Sequence, residues 1–228
     1  MNRSALILVF AGLIIGLLSC KKGNGDVIAA IQTTNLNVVN ASADTLNFYQ
    51  DGTRVNNGSN LIPDGSLGYQ TVTSGAQNYQ FKKAGSPNTL VDIPLTLDVS
   101  TLTVQKLYSI FIAGETSDKV FLTRDTLVND TTGGASVRFV NASPITGTLD
   151  VTIGNTFSYK KMAFKSATGF IHVNSGNSTL TIYQSGSTTP LASGTITLVE
   201  GTSYTLFTKG LLNGTGKSAF GVRILTVR

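Results

Sequence analysis

The sequence predicts an all-β protein made of two tandem antiparallel β-sandwiches after an N-terminal leader segment. Three observations support this class. Apolar and polar residues alternate with period two along many short segments, which is typical of strands with one buried face. The composition is rich in Thr, Val and Ile with 24 Gly, and it lacks Ala-rich or Glu-rich helical runs. The mature chain also repeats itself at an offset of 101 residues, which indicates duplication of a domain.

The first segment has the features of an export signal. Arg3 precedes an uninterrupted run of apolar residues and glycine over 5–18, and Lys21 and Lys22 follow shortly after it. A helix that spans a bilayer needs about 20 apolar residues, and this run is shorter. We therefore interpret residues 1–19 as a signal peptide rather than as a transmembrane anchor.

A lipid-attachment motif stands where the apolar run ends. Leu17-Leu18-Ser19-Cys20 contains the only cysteine of the chain. The tetrapeptide resembles the lipobox of bacterial lipoproteins, which implies that the Cys20 thiol is acylated and that the leader is cleaved in front of it. Each buried acyl methylene contributes about 0.8 kcal/mol, and two or more chains anchor a protein stably. We expect lipidation at Cys20 and a location in the cell envelope at the outer membrane, with the periplasmic and surface-facing sides both open.

The mature chain is mildly basic, and once Cys20 is acylated it has no cysteine left for a disulfide. Loss of Arg3 with the leader changes the formal charge from +5 to +4. The basic residues are spread along the chain, without the stripe that binds nucleic acid. The expected partner is the membrane, through the lipid anchor, and no nucleic acid is expected.

The two copies align in one register with a single gap. Val39-Asn40-Ala41-Ser42 falls on Val140-Asn141-Ala142-Ser143, and after a five-residue deletion Tyr108 falls on Tyr204. A polar, glycine-ending stretch between the copies predicts a linker. The predicted boundaries are 1–19 for the signal peptide, 20–33 for a lipidated tether, 34–128 for the first sandwich, 129–134 for the linker and 135–228 for the second sandwich.

Each copy is predicted to contain about seven short strands, which fits a two-sheet sandwich better than a barrel, although strand number alone does not separate the two. Tyr108 and Tyr204 each open the sixth strand of their copy and resemble the tyrosine corner of immunoglobulin-like domains. The alternative is an ordinary half-buried strand tyrosine. The predicted strands are 36–40, 46–50, 68–73, 77–83, 93–99, 106–113 and 119–127, then 136–141, 148–153, 168–173, 178–184, 194–199, 203–209 and 219–227.

The start of each copy carries a longer motif. The second copy has Val137-Arg138-Phe139-Val140-Asn141-Ala142-Ser143-Pro144 and then Leu149-Asp150-Val151, and the first copy has a weaker version with Ala43-Asp44 after its Asn-Ala-Ser. The motif resembles the domain of unknown function 4397, and the two copies cover nearly all of the mature chain. The family has no assigned activity, so the resemblance implies a fold and no functional residues. The Asn-Ala-Ser triplets themselves are interpreted as side-chain-capped turns rather than glycosylation sequons.

Catalytic chemistry is not predicted. His172 is the only histidine, and Thr71 takes its place in the first copy, so the copies share no base. The acidic residues are scattered rather than paired as glycosidases require, and the cysteine and histidine counts exclude a zinc site with several such ligands. An oxygen-ligand calcium site around Asp125, Asn129 and Asp130 is a weaker alternative. We predict no enzyme, no cofactor and no metal site.

Two further surface features are candidates for recognition. Asp44-Thr45-Leu46, Asp125-Thr126-Leu127 and Asp130-Thr131-Thr132 resemble the O-glycosylation acceptor of exported Bacteroidetes proteins, which implies modification at Thr45, Thr126 and Thr131. Tyrosines on strands can also stack on sugars. The candidates of this kind are Tyr49, Tyr69, Tyr159 and Tyr183.

The leading functional hypothesis is a lipid-anchored, non-enzymatic binding or adhesion module of the cell envelope, whose ligand is a glycan or an envelope protein. The alternative is a structural spacer or accessory subunit of an envelope complex. A sandwich can present loops or an exposed sheet for binding without any perturbed ionisable group.

Overall fold

The structure is a computed structural model, which describes residues 31–56, 58–101, 105–126, 132–145 and 147–227. The predicted signal peptide, Cys20 and most of the tether lie outside these ranges. One compact unit extends from Gln32 to Arg228. Within the described ranges, no helix is long and apolar enough to cross a membrane.

The described residues form sixteen strands, eight in each repeat. The first repeat contains β1 Thr33–Asn40, β2 Leu46–Gln50, β3 Thr53–Arg54, β4 Ser66–Thr73, β5 Gly75–Lys83, β6 Thr89–Leu97, β7 Leu107–Ile112 and β8 Val120–Asp125. The second contains β9 Gly134–Asn141, β10 Leu149–Ile153, β11 Phe157–Met162, β12 Ile171–Asn174, β13 Gly176–Gln184, β14 Pro190–Leu198, β15 Ser203–Lys209 and β16 Gly221–Val227.

Each repeat is a sandwich of two four-stranded sheets. We call β4-β1-β7-β8 and β12-β9-β15-β16 the inner sheets, and β3-β2-β5-β6 and β11-β10-β13-β14 the outer sheets. The predicted all-β sandwich class is confirmed. Paired strands are antiparallel except β1 with β7 and β9 with β15, which run parallel. These parallel pairs were not predicted, because an alternation of period two marks a strand but not its direction.

The strand predictions missed one edge strand in each repeat. β3 has only two residues, and β11 carries Ser158, Lys160 and Lys161 on exposed positions. Edge strands bury less apolar surface and often carry lysine, so their alternation is weak in the sequence. Strand β9 begins at Gly134, inside the stretch 129–134 predicted as a linker.

Each sandwich has its own hydrophobic core between its two sheets. The first core is centred on stacked rings of Phe48 with Tyr79 and Phe81. The second core includes Phe139, Phe157 and other apolar residues of both sheets. In β13 the alternation places Leu180 and Ile182 inside, as predicted.

A third apolar cluster joins the two repeats. It contains the buried residues Val39, Ala41, Phe111, Ala113, Val140, Ala142 and Phe207. The larger side chains of the cluster lie on the faces of β1, β7, β9 and β15 that point away from the two sandwich cores, and its alanines directly follow β1, β7 and β9. The central strands are therefore buried on both faces. The inner sheets therefore pack against each other within one unit.

Candidate functional site

A buried ion pair fixes one end of the contact between the inner sheets. Arg138 of β9 contacts the Asp125 carboxylate of β8 through Nη1, and their side chains are 3% and 0% exposed. Arg138 also donates from Nε to Thr205 Oγ1 at 2.8 Å. Asp125 accepts hydrogen bonds from Thr123 Oγ1 at 2.9 Å and from the Tyr69 hydroxyl at 2.6 Å. These partners satisfy the charges, which a buried ion pair requires to be tolerated.

The Tyr69 hydroxyl acts as a donor in this network. Burial, and then the negative charge of Asp125, raises the pKa of Tyr69, so its hydroxyl stays protonated. The guanidinium of Arg138 lies 4.9 Å from the centre of the Phe170 ring. Such a contact adds a favourable cation–π interaction.

The middle of the contact is aromatic. Phe111 stacks on Phe121 at 5.2 Å between ring centres and meets Phe207 of the second repeat edge to face at 6.0 Å. Phe121 also meets Phe164 of the second repeat at 5.9 Å. Aromatic pairs of this geometry contribute about 0.5–1.5 kcal/mol beyond their buried area, so these residues hold the two inner sheets together.

A cleft opens where the interface side chains become small. Beyond the phenylalanines, the side chains of the third apolar cluster are small. Two of them, Ala41 and Ala113, line a cleft of about 340 Å³ between the repeats. The rest of the lining comes from loops of both repeats at the same end of the inner sheets. It consists of Ser42, Ala43, Asp44, Gly114, Glu115, Thr116 and Lys119 of the first repeat, and Pro144, Gly210, Leu211, Lys217 and Ser218 of the second.

The repeated Asn-Ala-Ser motif shapes the walls of this cleft. Asn40 Oδ1 accepts the Ser42 N–H at 3.0 Å, and Asn141 Oδ1 accepts the Ser143 N–H at 3.2 Å. The Asn40 amide also donates to the Asp44 carbonyl at 2.7 Å. Both asparagines are completely buried, so the triplets are side-chain-capped turns. The motif therefore has a structural role that positions the loops around the cleft.

The rim of the cleft carries both positively and negatively charged side chains. Lys83 Nζ lies 3.2 Å from Asp44 and 3.1 Å from Glu115, and these carboxylates, Glu115 first, raise the pKa of Lys83. Lys119 lies 2.8 Å from Asp118. The cleft thus combines an apolar floor with a polar rim, the arrangement common to ligand sites.

A second ion-pair cluster links the repeats. Asp64 of the first repeat lies 3.0 Å from Lys209 Nζ of β15 and accepts a hydrogen bond from Arg223 Nε of β16 at 2.8 Å. The Lys209 side chain is only 5% exposed. Together with the Arg138 pair, this contact fixes the register of the two repeats.

The single histidine of the sequence lies on an edge strand of the second inner sheet. His172 lies exposed on the edge strand β12, where Nε2 is 3.2 Å from Asn174 Oδ1 and Nδ1 is 3.2 Å from Thr132 Oγ1. Its ring covers Gly134, where an added Cβ would lie 2.2 Å from the ring. In the described part of the chain, no cluster of three or more His, Cys, Asp or Glu residues could hold a metal ion. Asp125 of the calcium hypothesis is engaged by Arg138, and Asn129 and Asp130 lie outside the described residues.

The Asp150 carboxylate is held by hydrogen bonds and an ion pair next to strand β11. Its Oδ1 accepts the Lys161 N–H at 2.9 Å and the Ser185 hydroxyl, and Lys160 Nζ lies 3.2 Å from Oδ2. Burial alone would raise the pKa of Asp150, but these three contacts outweigh burial and lower it. The carboxylate supports the backbone of β11, where Lys161 has a φ of 56°.

The two predicted corner tyrosines occupy equivalent positions on β7 and β15. The Tyr204 hydroxyl accepts a hydrogen bond from the Val199 N–H at 3.1 Å. The aligned residue in the first repeat is Asp98, and burial followed by a hydrogen bond with the Asp98 side chain raises the pKa of Tyr108. Both hydroxyls therefore contact the residue that follows the preceding outer-sheet strand.

The other surface candidates lie apart from one another. Thr126 is exposed, Thr45 is half-buried and Thr131 lies outside the described residues. Asp125, which precedes Thr126 in the acceptor-like motif, is buried. The tyrosines do not form one platform: Tyr69 bonds Asp125, Lys82 covers Tyr49 at 4.8 Å, and Tyr159 packs on Phe157 at 4.8 Å. Tyr183 is half-buried on β13.

The residues that make the inter-repeat site were not predicted from the sequence. Arg138 stands between Val137 and Phe139 in an alternating strand, which predicts an exposed side chain. Its burial follows from coverage by a second sheet, which period two does not indicate. The one sequence feature that could have indicated a special role for Arg138 is its position inside the repeated motif, where the first repeat has Asn37.

Comparison with known proteins gives a family and no assigned activity. The sequence profile of a domain of unknown function, DUF4397, matches residues 34–152 and again 135–221. No curated protein matches the chain. Among the solved structures that match is a family 26 carbohydrate-binding module from Eubacterium rectale in complex with maltoheptaose, at 12% identity, with 86% of this chain and 98% of that chain covered. Its TM-score of 0.26 is too low to carry an argument for this chain. The two matches to the profile span most of the sequence, and the chain belongs to the DUF4397 family.

Proposed function

We propose that this protein is a lipid-anchored, non-catalytic binding module of the bacterial envelope, and that its ligand enters the cleft between the two repeats. The observation that carries the proposal is the cleft itself, which has a volume of about 340 Å³ and is lined by loops of both copies of the domain. An apolar concavity with a few polar groups at its rim is the usual form of a binding site.

The packing of the two inner sheets next to the cleft favours binding by a preformed site. The buried pair of Arg138 with Asp125 and the phenylalanine contacts hold the inner sheets in one register. A rigid site loses little conformational entropy when a ligand binds. Duplication of the domain therefore creates a concave surface that one copy alone does not have.

The chemistry at the cleft supports recognition rather than turnover. Its ionisable groups are Asp44, Glu115, Lys119 and Lys217, and Lys83 pairs with both carboxylates. Catalysis of the common hydrolytic kinds needs a nucleophile or base held next to a partner that activates it. A glycan or an envelope protein is the expected ligand, and the anchor at Cys20 would hold the module at the membrane.

The test compares variants inside and outside the cleft. The fragment 21–228, which retains the whole compact unit, is applied to a glycan array and to detergent-solubilised envelope. Leu211 lines the cleft and is 47% exposed, while Ile224 on β16 is 40% exposed and lies outside the lining. We expect Leu211→Asp to lose the retained ligand and Ile224→Asp to keep it. Equal retention by both variants would contradict the proposed site.

The second candidate is a structural spacer, which the packing of the repeats favours. Two sandwiches joined by a buried interface form a stiffer unit than two domains on a flexible linker. A spacer role predicts that a cleft variant such as Leu211→Asp leaves the protein's function in the envelope intact. Removal of one repeat would abolish that function.

A further inference from the structure

The outer sheets of the two repeats end in equivalent edge strands that differ in one respect. β6 closes the first outer sheet and β14 closes the second. They pair with β5 and β13 in the same register, with Asn78 opposite Pro94 and Thr179 opposite Thr195. A free strand edge offers unpaired N–H and C=O groups to another strand, and proteins block such edges with proline and charge.

The first edge is blocked and the second is open. β6 carries Asp92 and Pro94 in its middle, where β14 carries Ser193 and Thr195. No charged residue occurs between Pro190 and Leu198, and the interior of β14 contains no proline. The second repeat therefore has the same edge strand without the blocking proline and charge.

The direction of the free backbone groups follows from the ladder. The Thr179 carbonyl accepts the Gly154 N–H at 2.8 Å on the side away from β14, so Thr179 and Thr195 form a non-hydrogen-bonded pair. The N–H and C=O of Thr195 consequently point outward from the sheet edge. The same holds in the first repeat, where the Asn78 carbonyl accepts the Asp51 N–H at 2.8 Å. Pro94 thus removes the outward donor that Thr195 retains.

A side-chain void accompanies the open edge. Gly194 stands where the first repeat has Ile93, which packs against the first core. A Cβ added at Gly194 would meet no atom within 4 Å. The space beside it forms a pocket of about 220 Å³ whose lining includes Leu180 and, from the neighbouring inner sheet, Val222.

The edge and the void are complementary to a second copy of the same strand. If two β14 strands pair antiparallel about a two-fold axis at Thr195, each Thr195 N–H donates to the other Thr195 carbonyl. The same register places Ile196 of one copy in a close, non-hydrogen-bonded pair with Gly194 of the other. Ile196 then lies beside the void at Gly194. A two-fold axis at Ser193 would instead place Ala192 opposite Gly194, and an axis at Thr197 would place Leu198 opposite Ile196. Neither axis brings Ile196 opposite Gly194.

We propose that β14 is a self-association edge, through which two copies form a two-fold dimer with one continuous eight-stranded sheet. An isologous contact of this kind is closed and does not propagate into fibres. It uses a different surface from the inter-repeat cleft, so it does not rest on the proposed function.

The experiment gives the second repeat the blocking residues of the first. The mass of the fragment 21–228 is measured by light scattering and sedimentation over a range of concentrations. We expect the wild type to reach twice the monomer mass, and Thr195→Pro and Gly194→Ile each to weaken association by about tenfold or more. Thr195→Val keeps the N–H and should keep the dimer. Thr96→Pro on β6, also at an outward-facing position, is the control in the first repeat and should leave the mass unchanged.

Amide hydrogen exchange distinguishes this edge from other contacts. The Thr195 amide should exchange rapidly in dilute monomer and slowly in concentrated dimer, whereas the Thr96 amide should exchange at the same rate in both. A wild type that stays monomeric at all concentrations, or a dimer unaffected by Thr195→Pro, would overturn the proposal. A monomer that instead gains protection at Thr195 only from a foreign extended peptide would also overturn it, because the edge would then accept another partner.

Discussion

Arg138 of the second repeat and Asp125 of the first repeat form an ion pair that is almost fully removed from solvent. The two residues come from different copies of the same domain. Their counterparts are Asn37 in the sequence repeat and Val227 in the strand pairing, and these two are not a charged pair. The pair is therefore a feature of the contact between copies and not of the domain itself. Buried charges of this kind set a register, since a misaligned arrangement leaves a charge without its partner.

Removal of one member of this pair should be strongly destabilising. Arg138→Met leaves the Asp125 carboxylate buried without its cation, and we expect a loss of about 3–5 kcal/mol in the free energy of unfolding. Urea unfolding of the fragment 21–228 measures the loss.

The double variant provides the control. Arg138→Met with Asp125→Leu removes both charges, and we expect it to recover most of the stability. A double variant as unstable as the sum of its single variants would show that the pair is not energetically coupled.

The corner tyrosines should stabilise their repeats through their hydroxyls. Tyr204→Phe removes the acceptor of the Val199 N–H and should cost about 1 kcal/mol, and we expect a similar loss for Tyr108→Phe. Tyr79 is the matched control, because its buried hydroxyl has no hydrogen-bond partner among the described residues. Tyr79→Phe should be neutral or stabilising. Equal effects of all three substitutions on the unfolding free energy would remove the assigned role of the corner hydroxyls.

Asp150 should make the stability depend on pH in the acid range. Its folded-state pKa is lowered, so its contribution is present above the unfolded value of about 3.9 and is lost as the pH falls through the lower folded value. At pH 7 we expect Asp150→Asn to cost about 1 kcal/mol. The difference from wild type should shrink at pH 3. Asp92→Asn, at an exposed position, is the control, and a pH-independent difference for Asp150→Asn would contradict the assignment.

Cys20 should carry the lipid. We expect the full chain to partition into detergent and to incorporate labelled fatty acid, and Cys20→Ala to lose both properties, because the thiol is the acylated group in the lipobox interpretation. Cys20→Ser is the conservative control and should behave like Cys20→Ala. Fatty-acid labelling of Cys20→Ala at the wild-type level would exclude this anchor.

The sequence was sufficient for the class, the duplication and most strands, because these depend on local alternation. Leu180 and Ile182 could be placed in a core from their spacing alone. It did not predict that β1, β7, β9 and β15 are buried on both faces, because their second faces are covered by the other repeat. The parallel partners of β1 and β9 also depend on tertiary packing, which no local pattern specifies.

The candidate site was less accessible to sequence reasoning than the fold. The Asn-Ala-Ser turns were predicted from their side chains. In the structure, Ala41 and Ser42 of the first turn line the cleft, and so does Pro144, which directly follows the second turn. The cleft itself depends on two copies meeting with Ala41 and Ala113 at the end of their interface. An alanine directly after a strand gives no sequence signal that distinguishes a packed position from the wall of a cavity.

Site-specific photo-crosslinking tests the proposed binding cleft most directly. A photoreactive phenylalanine analogue is introduced at Leu211 inside the cleft, and at Ile224 outside it, in the full chain produced in its own cell envelope. Binding in the cleft predicts one discrete adduct from Leu211, absent from Ile224 and lost when Lys217→Glu alters the rim. Identical adduct patterns from the two positions, or no adduct from Leu211, would contradict binding in the cleft.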